Sequence, residues 1–375
     1  MLNHRVRQAA KAGANVHLLS ARSNEQNFTA ASQTSLSPAQ WVDALKAVVK
    51  AAGDGDDLAQ VEVQPWHQAI ADDLNAANAS LTLLGAQAQS HPQASALRYW
   101  SSRLAVACAG AAGVLPQGSN AIGAALAGML PHSGPGAAQV DAGLNVTQML
   151  ATPRKGYVLF GVEPELDCLD GPQANAALTQ AEFVMSFSAF TSDALREHAD
   201  VMLPIALFAE TDGTFVNAEG LWQSATAAVS APGEARPAWK ILRVLANLLD
   251  IPGFDFMRID SVSQELRAVA FEGVVAGLGQ AGRQQPEQNG HDAAVWAVPE
   301  VPIYSTDAAV RRAPSLQLTP LAAQPLLRIN SGEAKRAGIY NAQRVRVSLN
   351  GRSAALDLAI DDTVADGCVN YPAAL

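Results

Sequence analysis

The chain has 375 residues, enough for two or three domains at roughly 100–200 residues each. With 49% hydrophobic and 16% charged residues it can bury a sizeable core, which excludes a disordered chain; its formal net charge of −10 would repel a phosphate backbone, which excludes a nucleic-acid partner. No apolar run reaches the roughly 20 residues that span a bilayer, so no direct membrane insertion is expected.

Met1 leads into polar Asn3-His4-Arg5 with no apolar stretch behind it, and a cytoplasmic location is therefore expected. The spacing of Leu2, Val6, Ala9 and Ala10 predicts a helix over Leu2–Ala12, ended by Gly13, and Asn15–Leu19 reads as a buried strand. Parallel α/β sheets feed their helices from preceding strands, so an opening helix raises the expectation that residues upstream of Met1 are missing. Ser37-Pro38-Ala39-Gln40 has the pattern of a capping box and leads a helix through Trp41, Leu45, Val48 and Val49 to Gly53. Helices are then predicted from Pro65 to about Ala79 and from Pro92 to about Ala107, with a strand Leu81–Leu84 between them.

The alternation continues: strand Tyr157–Gly161, helix Pro172–Thr179, strand Phe183–Ser188, helix Ser192–His198, strand Val201–Pro204. This is the rhythm of a doubly wound α/β fold with mostly parallel sheets. Helices follow from Pro237 to Pro252 and over Ser261–Ala270, after which glycine and glutamine take over. Beyond Pro299 the texture changes to short strands. Arg344–Leu349 and Ala354–Ile360 flank Asn350-Gly351, a type I′ hairpin turn, and Ser331–Ala337 is the single helix of a small β-barrel-like domain. The expected organisation is an α/β region over residues 1–271, with possible subdomains 1–20 plus 150–271 and 21–149, then a linker over 272–300 and the C-terminal domain over 301–375.

Sequence-local chemistry is sparse. Gly118-Ser119-Asn120-Ala121-Ile122-Gly123 has the glycine spacing of a phosphate loop, but Ala124 and Ala125 stand where Lys and Ser/Thr would contact phosphate and magnesium. The cysteines Cys108, Cys168 and Cys368 form neither a disulfide framework nor a CxxC pair, and the histidines at 4, 17, 67, 91, 132, 198 and 291 include no HxH or HExxH, so no metal site is expected. There is no GxSxG elbow, and a catalytic triad could be assembled only by free choice of residues; no catalytic residue is assigned.

The informative stretch is Ala199–Pro204 followed by Glu210-Thr211-Asp212-Gly213-Thr214-Phe215-Val216-Asn217-Ala218-Glu219-Gly220. A polar, glycine-containing loop after a strand is where open α/β sheets place ligands. Its structural alternative is a turn with positive φ at Gly213 and Gly220, in which Asn217 and Glu219 bond backbone.

ADVMLP…ETDGTFVNAEG…PGEARPAWKILRVLANLL resembles the segment shared by the molybdopterin oxidoreductases and the large iron–sulfur subunit of NADH-quinone oxidoreductase, complex I. Val301–Thr319, with Asp307-Ala308, Arg311-Arg312 and Leu316-Gln317, resembles the complex I branch, and Leu2–Leu19 resembles the helix and strand after the family's first crossover. The resemblance implies a fragment that starts partway into the molybdopterin-oxidoreductase-like region and serves as a scaffold without a redox centre. Its partners would be other peripheral-arm subunits at the cytoplasmic face of the bacterial inner membrane. The 4Fe-4S and 2Fe-2S clusters would belong to the missing N-terminal part, and no cofactor is expected in this chain. Should a pterin site persist, Glu210, Gly213, Thr214, Asn217 and Glu219 would form it. The usual EGR ending reads Glu219-Gly220-Leu221 here, which loses a guanidinium suited to phosphate or carboxylate. Two alternatives stand beside this reading: a fragment of an active molybdopterin-dependent oxidoreductase of the formate dehydrogenase or nitrate reductase type, and a stand-alone α/β binding protein.

Overall fold

A computed structural model describes residues 2–269, 295–322, 324–349 and 352–373. Near the N-terminus, β1 (His17–Ser20) and β2 (Ser32–Ser35) pair in parallel after the helix Leu2–Lys11. A second parallel pair is formed by β3 (Leu81–Leu84) and β4 (Ala111–Val114). The third sheet, β5 (Gly156–Phe160), β6 (Phe183–Ser188) and β7 (Val201–Pro204), is parallel throughout with strand order β5-β6-β7. An antiparallel hairpin follows, β8 (Gly213–Val216) with β9 (Trp222–Ala225).

The last sheet takes β10 (Trp296–Glu300), β11 (Leu326–Ile329), β12 (Arg344–Leu349), β13 (Arg352–Ile360) and β14 (Cys368–Pro372) in the order β10-β14-β11-β13-β12. It is mixed, since β10 with β14 and β11 with β13 are parallel while β11 with β14 and β12 with β13 are antiparallel. Among the described residues it is an open sheet, with no pairing between β10 and β12 to close a barrel. The strand β10 lies at the end of the segment expected as a linker; residues 272–294 of that segment, and the turn Asn350-Gly351, lie outside the described residues.

The main core forms where the helix Trp41–Ala51 crosses the helix Ala94–Ala107. Trp41, Val42, Val48 and Val49 fall on one face of the first helix because they recur at helical spacing, and they meet Leu97, Trp100 and Leu104 on the second. Val298 and Cys368 of the C-terminal sheet, with Val364 and Ala365 from the connection between β13 and β14, enter the same cluster, so the two ends of the chain share one core. Each large side chain buried here stabilises the fold by roughly 1.5–3 kcal/mol relative to exposure. At this junction the His91 ring stacks between Trp41 and Trp296, with centroids at 5.7 and 5.4 Å.

Ser37 does not act as the expected capping box. Pro38–Gln40 forms a 3-10 turn, and Ser37 makes no side-chain cap bond. One half of such a box occurs instead at Gln64 and His67, where the Gln64 N–H donates to His67 Nδ1 at 2.9 Å.

The β5-β6-β7 sheet buries one face under the helices Gly171–Thr179 and Val146–Ala151, through Tyr157, Val184, Ala177 and Leu178. Asp170 and Ser192 cap the crossover helices by accepting from the Gln173 and Leu195 N–H groups. Asp200 Oδ2 accepts from Val184 N at 2.7 Å, tying the start of β7 to β6. This anchors the strand from which the candidate loop departs.

Candidate functional site

After β7 the chain makes a 3-10 turn, Phe208–Glu210, and enters β8, so the stretch read as a loop contains a strand hairpin. Glu210 folds back on its own turn: Oε2 accepts from the Leu207 N–H at 2.9 Å. Asp212 Oδ1 likewise accepts from Ala227 N at 2.7 Å. Thr214 Oγ1 lies 3.4 Å from Ser224 Oγ across the hairpin and 3.3 Å from Ser263 Oγ.

Asn217 closes the hairpin turn, because its Oδ1 accepts from both Glu219 N at 3.0 Å and Leu221 N at 2.9 Å. Glu219 contributes that backbone N–H while remaining exposed. Gly220 has φ +78°, the left-handed value that the turn requires. Gly213 does not: it begins β8 outside the positive-φ region, and the nearest atom to an added Cβ would be Phe215 Cε2 at 4.0 Å. The expectation of a positive φ there is corrected by the strand, which holds Gly213 in ladder geometry opposite Ala225. The structure thus gathers Glu210, Gly213, Thr214, Asn217 and Glu219 on one hairpin.

Behind the hairpin, Asn120 Oδ1 accepts from the Val216 N–H at 2.8 Å. The Gly118–Gly123 stretch is therefore a dock for β8. Gly123 makes room for it, since a Cβ at that position would stand 2.1 Å from Asn120 Oδ1. In front of the hairpin opens a groove of about 810 Å³, whose walls include Glu210, Asp212, Arg236, Trp239, Lys240 and Arg258. The basic residues are partly engaged: Arg258 pairs with Asp260 at 2.9 Å, and Arg236 donates to Gly233 O and Ala235 O.

A second polar centre joins residues far apart in the sequence. The Glu163 carboxylate, 1% exposed, accepts from Arg311 Nη2 at 2.7 Å and Nε at 3.2 Å, and from both terminal nitrogens of Arg312. Arg311 Nη1 also reaches Asp167 Oδ1 at 2.9 Å, while Asp167 Oδ2 accepts from the Glu163 N–H at 2.7 Å. Burial alone would push the Glu163 carboxyl up, but the hydrogen bonds from Arg312 and Arg311 outweigh it and hold the group below the usual glutamate value. Asp307 caps the arginine-bearing turn by accepting from Ala309 N and Val310 N, and Gln317 Nε2 donates to Tyr304 O and Val310 O. The residues that single out Val301–Thr319 in the sequence therefore build a clamp between the C-terminal segment and the end of β5.

Among the described residues no group of three or more His, Cys, Asp and Glu side chains is placed to hold a metal ion, and no helix is long and apolar enough to cross a membrane.

Parallel strands with crossover helices and a polar hairpin past the β7 end define an α/β protein, and comparison with known proteins makes this specific. The chain belongs to the molybdopterin oxidoreductase family, whose model, described as Molybdopterin oxidoreductase, matches residues 1–248. It is similar to the F420-dependent formate dehydrogenase subunit alpha of Methanocaldococcus jannaschii, 31% identical over 133 residues that cover 34% of this chain and 20% of that protein. It is similar also to the mitochondrial NADH-ubiquinone oxidoreductase 78 kDa subunit of Candida albicans, 30% identical over 157 residues that cover 37% of this chain and 21% of that subunit. The matched stretches thus span about a fifth of the length of these relatives. Among solved structures, acetylene hydratase from Pelobacter acetylenicus superposes with a TM-score of 0.61 at 13% identity, covering 98% of this chain and 68% of that one, which establishes the fold.

Proposed function

We propose that the chain is the molybdopterin-oxidoreductase-like part of the large iron–sulfur subunit of a bacterial NADH:quinone oxidoreductase, a scaffold in the peripheral arm at the cytoplasmic face of the inner membrane. The observation that carries this reading is the self-closure of the Glu210–Gly220 hairpin. Glu210 and Asn217 each turn an acceptor to the backbone of their own turn, Asp212 turns one to Ala227 N past β9, and Leu221, 55% exposed, offers no guanidinium where the family pattern has one. On this reading these residues do not fit the family's pterin cofactor, and no chemical step is assigned to them. The iron–sulfur clusters belong to another part of the full-length protein. The clamp of Arg311 and Arg312 on Glu163 gives the segment resembling the complex I branch a structural purpose; the similarity to the 78 kDa subunit agrees with that branch, and the similarity to the formate dehydrogenase subunit agrees equally with the second reading below. Affinity isolation of the full-length protein from its native cells tests it: other NADH:quinone oxidoreductase subunits should co-purify in equal amounts, and isolation without them overturns the assignment.

The second reading is a part of an active molybdopterin-dependent oxidoreductase. The observation favouring it is the groove of about 810 Å³ beside the hairpin, with Arg236, Lys240 and Arg258 on its walls. It requires molybdenum or tungsten in the full-length protein.

A further inference from the structure

Away from the hairpin, β1, β2 and the helix Pro65–Ala76 bring together three side chains that no local motif connects. His17 Nδ1 lies 2.8 Å from Ser32 Oγ, and His17 Nε2 lies 2.9 Å from Asp73 Oδ2. The carboxylate can only accept, so Nε2 carries the imidazole proton. In the neutral imidazole Nδ1 is then a lone pair facing the Ser32 hydroxyl. We infer that Ser32, His17 and Asp73 form a nucleophile, base and orienting carboxylate able to carry out acyl or phosphonyl transfer onto Ser32 from activated esters.

Two further features of the fold agree. The strand β2, Ser32-Gln33-Thr34-Ser35, is only partly buried, and the ladder pairs Ser32 with His17, which fixes the two side chains next to each other. Asp73 sits in the last turn of its helix, where the macrodipole disfavours a carboxylate, and its contact is the His17 ring. His17 is 14% exposed and Asp73 36%, so the base is shielded while the group opens to solvent at one end.

In the reaction the Ser32 Oγ–C bond forms as its proton passes to His17 Nδ1; the ester C–O bond breaks and the leaving alkoxide takes that proton. Water, deprotonated by the same nitrogen, then attacks the acyl carbon; the C–Oγ bond breaks, Ser32 Oγ takes the proton back from His17 and the carboxylic acid leaves. With a fluorophosphonate the Oγ–P bond forms, fluoride leaves, and the adduct remains.

The test is labelling of the full chain with a biotinylated fluorophosphonate, with the modified peptide mapped by mass spectrometry in the native protein and in urea. Native Ser32 should be labelled about 100-fold faster than in the unfolded chain, the range a positioned base supplies. Asp73→Asn should slow native labelling at least about tenfold with the melting temperature unchanged. Native labelling of Ser32 at the unfolded rate, label on other serines instead, or an equal rate in a folded Asp73→Asn variant overturns the inference. The native-to-unfolded comparison decides it even where the variant fails to fold. Since it reads only this chain's serine, its outcome is independent of the respiratory assignment.

Discussion

Glu163 and Arg311 stand 148 positions apart and meet through two hydrogen bonds at a carboxylate that is 1% exposed. Removing one partner of a buried pair leaves an uncompensated charge, at a cost of about 3–5 kcal/mol. Arg312 still contacts Glu163, so Arg311→Ala should fall at the lower end, about 3 kcal/mol. Urea unfolding measures it. A midpoint unchanged from wild type would show that the clamp contributes nothing net.

The same pair sets a pH dependence. The folded-state pKa of Glu163 lies below its usual value of 4.5, so the stability it contributes is present in full above that value and is lost as pH falls through the folded pKa. The difference in unfolding free energy between wild type and Glu163→Gln should therefore be constant near neutrality and shrink below about pH 4.5. Urea midpoints across pH 3 to 7, on the order of five points, check the sign. A gap that widened on acidification would mean that burial, not the guanidinium groups, governs the carboxyl.

Asn120 and Gly123 act as one unit with Val216. Gly123→Ala would put a Cβ 2.1 Å from Asn120 Oδ1, displacing the acceptor from a backbone N–H in a residue that is 2% exposed. An orphaned buried donor costs about 1–3 kcal/mol. Asn120→Ala should cost a similar amount, and the double variant little more than either single one. Additive losses in thermal unfolding would show that the two positions act separately.

The two hairpin glycines differ in kind. Gly220→Val forces a β-branched residue to φ +78° and should cost about 1–3 kcal/mol. Gly213→Val places a β-branched residue in a strand with open space and should stay within about 0.5 kcal/mol of wild type. Melting temperatures of the two purified variants separate these outcomes; equal losses would contradict the assigned backbone geometry.

Continuous apolar runs made part of the fold legible. Leu81–Leu84, Phe183–Ser188 and Val201–Pro204 are strands at the predicted residues, because short apolar segments between turn residues have few other ways to be buried. The strand β2 carried no such signal: Ser32-Gln33-Thr34-Ser35 pairs through its backbone, which is blind to side-chain hydropathy. The β8-β9 hairpin was hidden because Asn217 closes it with an Asx-type turn rather than Asn-Gly. For the site, the polarity of Glu210–Gly220 located the hairpin, yet the direction of each acceptor depends on where Leu207, Ala227 and Leu221 lie. Glu163 with Arg311, and Ser32 with His17 and Asp73, are brought together by tertiary packing, and no spacing in the sequence encodes them. The arginine pair was visible as a motif; its carboxylate was not.

The measurement that tests the central claim most directly is metal analysis of the full-length protein isolated from its native cells under anaerobic conditions. A scaffold part of a complex I subunit, with its hairpin closed on itself, predicts iron at cluster stoichiometry with molybdenum and tungsten at background. Molybdenum or tungsten near one atom per protein would contradict it and assign the groove beside Glu210 and Lys240 to a working pterin cofactor.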